Sequence, residues 1–269
     1  MKHVMLDCYG STQTLLDDIR YINKIVNEIP YVLKLTPVAP PSLVPYYYGK
    51  VKEDDGISSF VFLEGGHVTI HTFPFRQCYF VDIFSEDFDT EVLKNYLLEK
   101  LPFNETISTL EIRDRDINVF NTLPYDPKED FGPHVMAELS YENRITMENM
   151  FDFLEKLVYE IGMTPITRPF VIKSTVNKTH YLSGIILIAQ SHIALHYDYD
   201  DKLIYFDIFS CSSFDFSMVT NVLLTLGKVT SYEVVARGTK HYSKIKREKD
   251  DTEFLASEKW QKNIYDDYL

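Results

Sequence analysis

The chain has 269 residues and a mass of 31.5 kDa, room for one large domain or two small ones at about 100–200 residues per domain. Hydrophobic residues make up 45% and charged residues 25%, which excludes a disordered tail, a collagen-like chain and a coiled coil. With 27 basic and 40 acidic side chains the formal charge is −13; such a surface repels phosphate backbones, so nucleic acid is excluded as a partner, while small cations are attracted.

No apolar run reaches the roughly 18–20 residues of a membrane span, so no membrane partner is expected. The first residues, Met1 to Asp7, meet an acidic side chain at once and form no cleavable apolar leader. A cytoplasmic protein is the expectation. Cys8, Cys78 and Cys211 are odd in number and lack zinc or disulfide spacing, so each is a core residue or a chemical one.

In chain order, Lys2–Asp7 reads as a strand and Leu15–Ile29 as an amphipathic helix. Phe60–Leu63 opens a group of short β-branched and aromatic runs that ends at Ser85. A helix is expected near Thr90–Lys100 and a strand over Ile107–Ile112. Thr122–Pro133, with Pro124, Pro127, Gly132 and Pro133, is the natural linker. Beyond it the series restarts: strand Pro133–Glu138, helix Met147–Ile161, strands through Ile185–Ile188 and Leu203–Phe209, helix Ser217–Leu226, strand Val229–Val235. The tail from Gly238 is polar and charged, with a further helical stretch expected through Trp260.

The restart is a true repeat. Ser58–Ser85 aligned with Ser183–Ser210 gives seven identical positions in 28: Ser58/Ser183, His67/His192, His71/His196, Asp82/Asp207, Ile83/Ile208, Phe84/Phe209 and Ser85/Ser210. The chain therefore divides into a first half, 1–124, and a second half with its tail, 133–269. Strand runs flanked by helices predict an α+β fold. Two such sheets, each covered by helices on one face, would pack their other faces together as a four-layer α/β/β/α sandwich of two pseudo-two-fold related halves with antiparallel sheets.

Three features invite chemistry. His192 and His196, four apart, would suit zinc on a helix, but Ile193–Phe209 reads as two strands and a turn. On a strand the pair shares one face as hydrogen-bonded core residues, and no metal is expected. Ser191, after Gln190 at the end of an apolar run, is either a turn former or a residue that attacks its own preceding carbonyl. The second course ends in a pyruvoyl group, an electrophilic carbonyl that forms a Schiff base with a substrate amine and serves as electron sink. Cys211 is either a small buried hydrophobe or a chemical residue.

The spacing of these residues resembles the S-adenosylmethionine decarboxylase family. Its signature is matched by Ser183-Gly184-Ile185-Ile186-Leu187-Ile188-Ala189-Gln190-Ser191-His192-Ile193-Ala194-Leu195-His196, followed by Asp207-Ile208-Phe209-Ser210-Cys211. The first copy supplies Gly65-Gly66-His67-Val68-Thr69-Ile70-His71-Thr72-Phe73-Pro74, similar to the same text. The resemblance runs to about Gly238. It implies a pyruvoyl-dependent decarboxylase of polyamine biosynthesis that cleaves itself between Gln190 and Ser191, with the pyruvoyl group derived from Ser191 as covalent cofactor. In the family each site takes its cleavage Ser and its Cys from one copy and an assisting Ser and His from the other. Carried over, Ser191 and Cys211 belong to one live centre with Ser58 and His71. His71 would be the base for the elimination, Ser58 would polarise the local carbonyl, and Cys211 would return a proton after CO₂ leaves. Gly66 and Glu86 replace the cleavage Ser and the Cys in the first half, so its own centre is dead and Ser183 and His196 face it.

The match departs from the family at the substrate. Gln190 stands where the family has Glu. Phe75 stands where a Glu holds the ribose, and Lys52 and Met136 stand where aromatic rings stack on adenine. Loop shifts through Tyr46–Tyr48, Phe73 or Phe170 would restore one of these contacts but not all three. The small cationic substrate is then S-adenosylmethionine or, on the same scaffold, ornithine or arginine. A non-catalytic regulatory paralogue is the reading from another class, and a homodimer is a possible assembly.

Overall fold

The computed structural model describes residues 1–122, 125–176 and 178–242. The helix expected near Trp260 lies outside the described residues.

Two sheets lie face to face. The first contains β1 (Lys2–Tyr9), β2 (Ser42–Tyr46), β3 (Gly56–Leu63), β4 (Gly66–Phe73), β5 (Cys78–Ser85) and β6 (Thr109–Asp114), in the order β2-β3-β4-β5-β1-β6. The second contains β7 (Phe120–Thr122), β8 (Gly132–Ser140), β9 (Phe170–Val176), β10 (Thr179–Ile188), β11 (Ser191–Asp198), β12 (Leu203–Phe209) and β13 (Lys228–Arg237), in the order β7-β13-β8-β12-β11-β10-β9. Apart from β7, which pairs parallel to β13, the second order repeats the first strand for strand, and all its other pairings are antiparallel.

The helices are α1 (Gln13–Leu16), α2 (Ile19–Val32), α3 (Thr90–Lys100), α4 (Met147–Glu160) and α5 (Phe216–Leu226). The single helix expected over Leu15–Ile29 is instead two. Asp18 interrupts it because its carboxylate accepts the Tyr21 amide as the N-cap of α2, a role for which Asp is well suited. α3 and α5 start on Asp89 and Asp215 in the same way, and α4 on a Thr146–Asn149 capping box. The edge strands β2 and β9 were not visible in the sequence. β2 carries Pro45 and no residue of it is fully buried, so it lacks the alternation that marks a half-buried strand.

Strand alternation sorts the layers. Val4, Leu6, Val68, Ile70, Val81 and Ile83 face the helices of the first half; Val135, Ala137, Ile193, Leu195, Phe206 and Ile208 face those of the second. The alternate residues meet between the sheets. Apolar clusters fill part of that space: Phe60 and Phe62 against Ile185 and Leu187, Phe73, Phe80 and Phe131 with Phe209, and Met5 with Met136 and Val235. The rest is polar. His3, His67, His71, His134, His192, His196, Asp82 and Asp207 are all buried there. The result is an α/β/β/α sandwich of two pseudo-symmetric halves, with a buried histidine and carboxylate layer along its midline. Among the described residues no helix is long and apolar enough to cross a membrane.

Candidate active site

Ser191 is the first residue of β11 and pairs with Ile188, so that Ala189 and Gln190 form a two-residue hairpin loop. Gln190 has φ 54°, the left-handed region that glycine occupies freely and other L-residues enter at a cost of about 1–2 kcal/mol. The corresponding residue of the first half is Gly65, with φ 70°. The peptide bond ahead of Ser191 therefore follows a strained residue held by its surroundings, an arrangement that recurs at functional sites.

Those surroundings come from the other sheet. The Gln190 side chain is buried. Its Nε2 donates to the Tyr46 carbonyl at 3.0 Å, and its Oε1 lies 3.1 Å from Ser58 Oγ. Because the Tyr46 carbonyl only accepts, the amide orientation is fixed. A Glu here would set an oxygen against that carbonyl, which accounts for Gln in this chain. Ser58 Oγ is also 2.8 Å from His71 Nδ1, the two residues being directly opposed across β3 and β4. On the near side, the Cys211 amide donates to Ser191 Oγ at 2.9 Å, and Cys211 Sγ lies 3.6 Å from the Ala189 carbonyl. Burial, with Asp54 nearby, pushes the Cys211 thiol up to about 11, so at neutral pH it carries its proton.

Ser58, His71, Gln190, Ser191 and Cys211 are thus joined by hydrogen bonds around the hairpin between β10 and β11. Of the three positions read as substrate contacts, two lie together and one apart. Lys52 and Phe75 sit on adjoining 3-10 turns, Lys52–Asp54 and Pro74–Arg76; Lys52 pairs with Asp55 at 3.4 Å and Phe75 is 54% exposed. Met136 packs between the sheets against Met5 and Val235. The Tyr46–Tyr48 segment, by contrast, reaches the Ala189–Gln190 loop through the Tyr46 carbonyl. Tyr46 and Tyr48 rings are 6.4 Å apart, and Tyr48 is 88% exposed.

At the mirror position the first half is closed. A Cβ added to Gly66, the counterpart of Ser191, would lie 1.9 Å from the Phe84 carbonyl oxygen. The loss there is of space as well as of a hydroxyl. Ser183 and His196 form the mirror pair, Oγ to Nδ1 2.8 Å, and burial lowers His196 to about 3.

His192 and His196 do not act together. His192 Nδ1 meets His71 Nε2 at 2.8 Å and its Nε2 meets Asp207 at 3.1 Å, whereas His196 Nε2 meets His67 Nδ1 at 2.8 Å. Two mixed groups, His3/Asp82/His134 and His67/His192/Asp207, have donor atoms within 4.8 Å of one another. In the first, Arg237 donates to both Asp82 and His134 Nδ1 at 2.7 Å, so the guanidinium holds the place of a cation. In the second, Asp207 takes the Nε2 proton of His192. Sequence reading did not assign His192 and Asp207 to the site, although both are among the identities of the repeat.

A model of the S-adenosylmethionine decarboxylase family matches residues 2–113 and 133–237, one stretch in each half. Among solved structures, the chain is similar to the adenosylmethionine decarboxylase of Aquifex aeolicus VF5, at 22% identity over 41% of this chain and 92% of that one, with a TM-score of 0.33. No curated protein sequence matches it.

Proposed function

The chain belongs to the S-adenosylmethionine decarboxylase family, and we propose that it cleaves itself between Gln190 and Ser191 to become a pyruvoyl-dependent decarboxylase of polyamine synthesis. The observation that supports the reading is that Ser58 and His71 from one half reach the Gln190 side chain while Cys211 from the other holds Ser191 Oγ, on either side of a residue in the left-handed region.

The residues suit each step. Ser191 Oγ attacks the Gln190 carbonyl; the C–O bond forms as the peptide C–N bond breaks, leaving an ester and a free amine. The Cys211 amide, aimed at Ser191 Oγ, favours negative charge on that oxygen. Removal of the Ser191 Cα proton toward Ser58 and His71 then expels the Gln190 carboxylate. Water finally replaces the nitrogen, which leaves as ammonia. The group so made supplies the electron sink for loss of CO₂. Cys211, protonated at neutral pH, is placed to return a proton.

Intact mass tests the proposal. The processed protein is expected as a 190-residue fragment ending at Gln190 and a 79-residue fragment (269 − 190) with a blocked N-terminus, and Ser191→Ala is expected to stay at 31.5 kDa. A wild-type chain that stays intact under all conditions and shows no carbonyl reactivity sinks it, in favour of a non-catalytic paralogue.

The substrate turns on the side chains at these three positions. Lys52, Phe75 and Met136 offer adenosine nothing in their family roles, which favours ornithine or arginine as a second reading. The exposed ring of Tyr48 beside the cleavage loop supports S-adenosylmethionine, by stacking on the base. CO₂ release from the three compounds at equal concentration separates the two. If S-adenosylmethionine is turned over, Tyr48→Ala is expected to raise its KM by roughly 2–10-fold, the equivalent of one aromatic contact, and to leave self-cleavage unchanged. An unchanged KM removes Tyr48 from the site.

A further inference from the structure

We propose that Asp207 and His192 are positioning residues that make His71 the base, through a buried relay Asp207–His192–His71–Ser58 that is complete on the Ser191 side of the molecule only. The inference rests on the self-cleavage reading above and assigns roles to two residues that reading leaves aside.

Four groups lie in series between the sheets. Asp207 Oδ2 is 3.1 Å from His192 Nε2, His192 Nδ1 is 2.8 Å from His71 Nε2, and His71 Nδ1 is 2.8 Å from Ser58 Oγ. A carboxylate only accepts, so it fixes the proton of His192 on Nε2. The bare His192 Nδ1 then requires the proton of His71 on Nε2. His71 Nδ1 is left as a lone pair facing Ser58, whose one hydroxyl proton goes either to it or to Gln190 Oε1; with that proton turned toward His71, the imidazole has the tautomer a base needs. A carboxylate performs this service for the histidine of serine hydrolase triads; here the service passes through a second imidazole.

The same series accounts for the proton that arrives. When Ser58 takes up the proton removed from Ser191 Cα and passes its own to His71 Nδ1, His71 releases the one on Nε2 to His192 Nδ1. The positive charge settles on His192, against Asp207, and Ser58 is free to donate to Gln190 Oε1 at 3.1 Å. Burial pushes His71 well below the ordinary histidine range, so an isolated imidazole in its place would be a feeble base. Burial works against the charge of Asp207 too, but His67 and hydrogen bonds from His134 and His192 outweigh it and hold the carboxyl well below the usual range.

The mirror series is Ser183–His196–His67–Asp82, and it is broken. Ser183, His196 and His67 connect at 2.8 Å each, yet His67 Nε2 has no hydrogen-bond partner. Asp82 is engaged elsewhere, by Arg237 Nη1 at 2.7 Å. The counterpart of Arg237 is Arg115, which donates to Glu138, to the Ala137 and Phe206 carbonyls and to His3. It leaves Asp207 to the histidines. Glu138 stands where the first half has Asp7, and the longer acid goes with a guanidinium that does not reach the midline carboxylate.

The test compares Asp207→Asn and Ser183→Ala with wild type for the rate of self-cleavage. Asp207→Asn keeps the size and removes the charge, and is expected to slow cleavage about 10²-fold, within the range of acid–base contributions. Ser183→Ala, at the place that mirrors Ser58 and away from Asp207, is expected to leave the rate unchanged. Cleavage of Asp207→Asn at the wild-type rate, or equal slowing in both variants, overturns the relay. Nitrogen NMR of the imidazoles is recorded in parallel on the intact Ser191→Ala chain. A bare Nδ1 and protonated Nε2 on His71 supports the relay even if wild type never cleaves, in which case the proposed function falls alone. The reverse tautomer overturns the relay whatever the cleavage result.

Discussion

His71→Ala is expected to stall self-cleavage by about 10²–10⁴-fold, the range of a positioned acid–base group, whereas His196→Ala is expected to cleave at close to the wild-type rate. The two histidines are equivalent in the repeat, equally buried and each 2.8 Å from a serine of its own hairpin. A purely structural role would therefore make the two substitutions similar in effect. What separates them is the residue each serine faces. Ser58 Oγ reaches Gln190, next to Ser191, while Ser183 and His196 face a hairpin whose first strand residue is Gly66. Gly66→Ser is expected to yield no second cleavage, because its Cβ would collide with the Phe84 carbonyl oxygen. Time courses of fragment formation, with thermal melts to confirm folding, measure all three. Stalling by His196→Ala with normal cleavage by His71→Ala would show that the helper residues act within their own half.

The repeat made most of this legible. An identity shared by His67/His192 and by Asp82/Asp207 needs no alignment of other proteins to be noticed, and strand alternation set His192 and His196 on one face. Helix ends were legible where an Asp or Thr caps them, except at Asp18, where the apolar periodicity continues across the break between α1 and α2. The edge strands were not, since β2 is half-buried and holds a proline. In the site, spacing to Ser183, His196 and Cys211 singled out Ser191. It said nothing of pairing across the sheets: the contacts Gln190–Tyr46, His71–His192 and Arg237–Asp82 join residues 144, 121 and 155 positions apart. Nor did the sequence mark the difference between Asp7 and Glu138 as anything beyond a conservative change, although the two arginines they bind behave differently toward the midline carboxylates.

Arg237→Met is expected to cost roughly 3–5 kcal/mol at neutral pH, the usual result of removing one member of a buried ionic group. The guanidinium is almost wholly buried. Its Nε donates to Asp7 at 2.7 Å and its Nη1 to Asp82 at 2.7 Å, and it lies 4.9 Å from the centre of the Phe209 ring. Since Arg237 ends β13 in the second sheet and both acids belong to the first, it also ties the sheets together. Without it two carboxylates face one another with no neighbouring cation of their own. Burial already raises Asp7 against the pull of Arg237, and Asp82, now held well below the usual range because Arg237 and the histidines outweigh its burial, would rise as well. Carboxyls whose folded-state pKa lies above the unfolded value of about 4 penalise the fold increasingly as pH climbs through that interval. The deficit of Arg237→Met is therefore expected to shrink on acidification from pH 7 toward pH 5. Adding Asp7→Asn and Asp82→Asn is expected to recover most of it at pH 7, because the charges left unpaired, more than the lost contacts, carry the penalty. Denaturant midpoints at the two pH values decide the matter: a deficit independent of pH and untouched by the two amides would mean that packing on Phe209 and Phe80, rather than charge, is what Arg237 supplies.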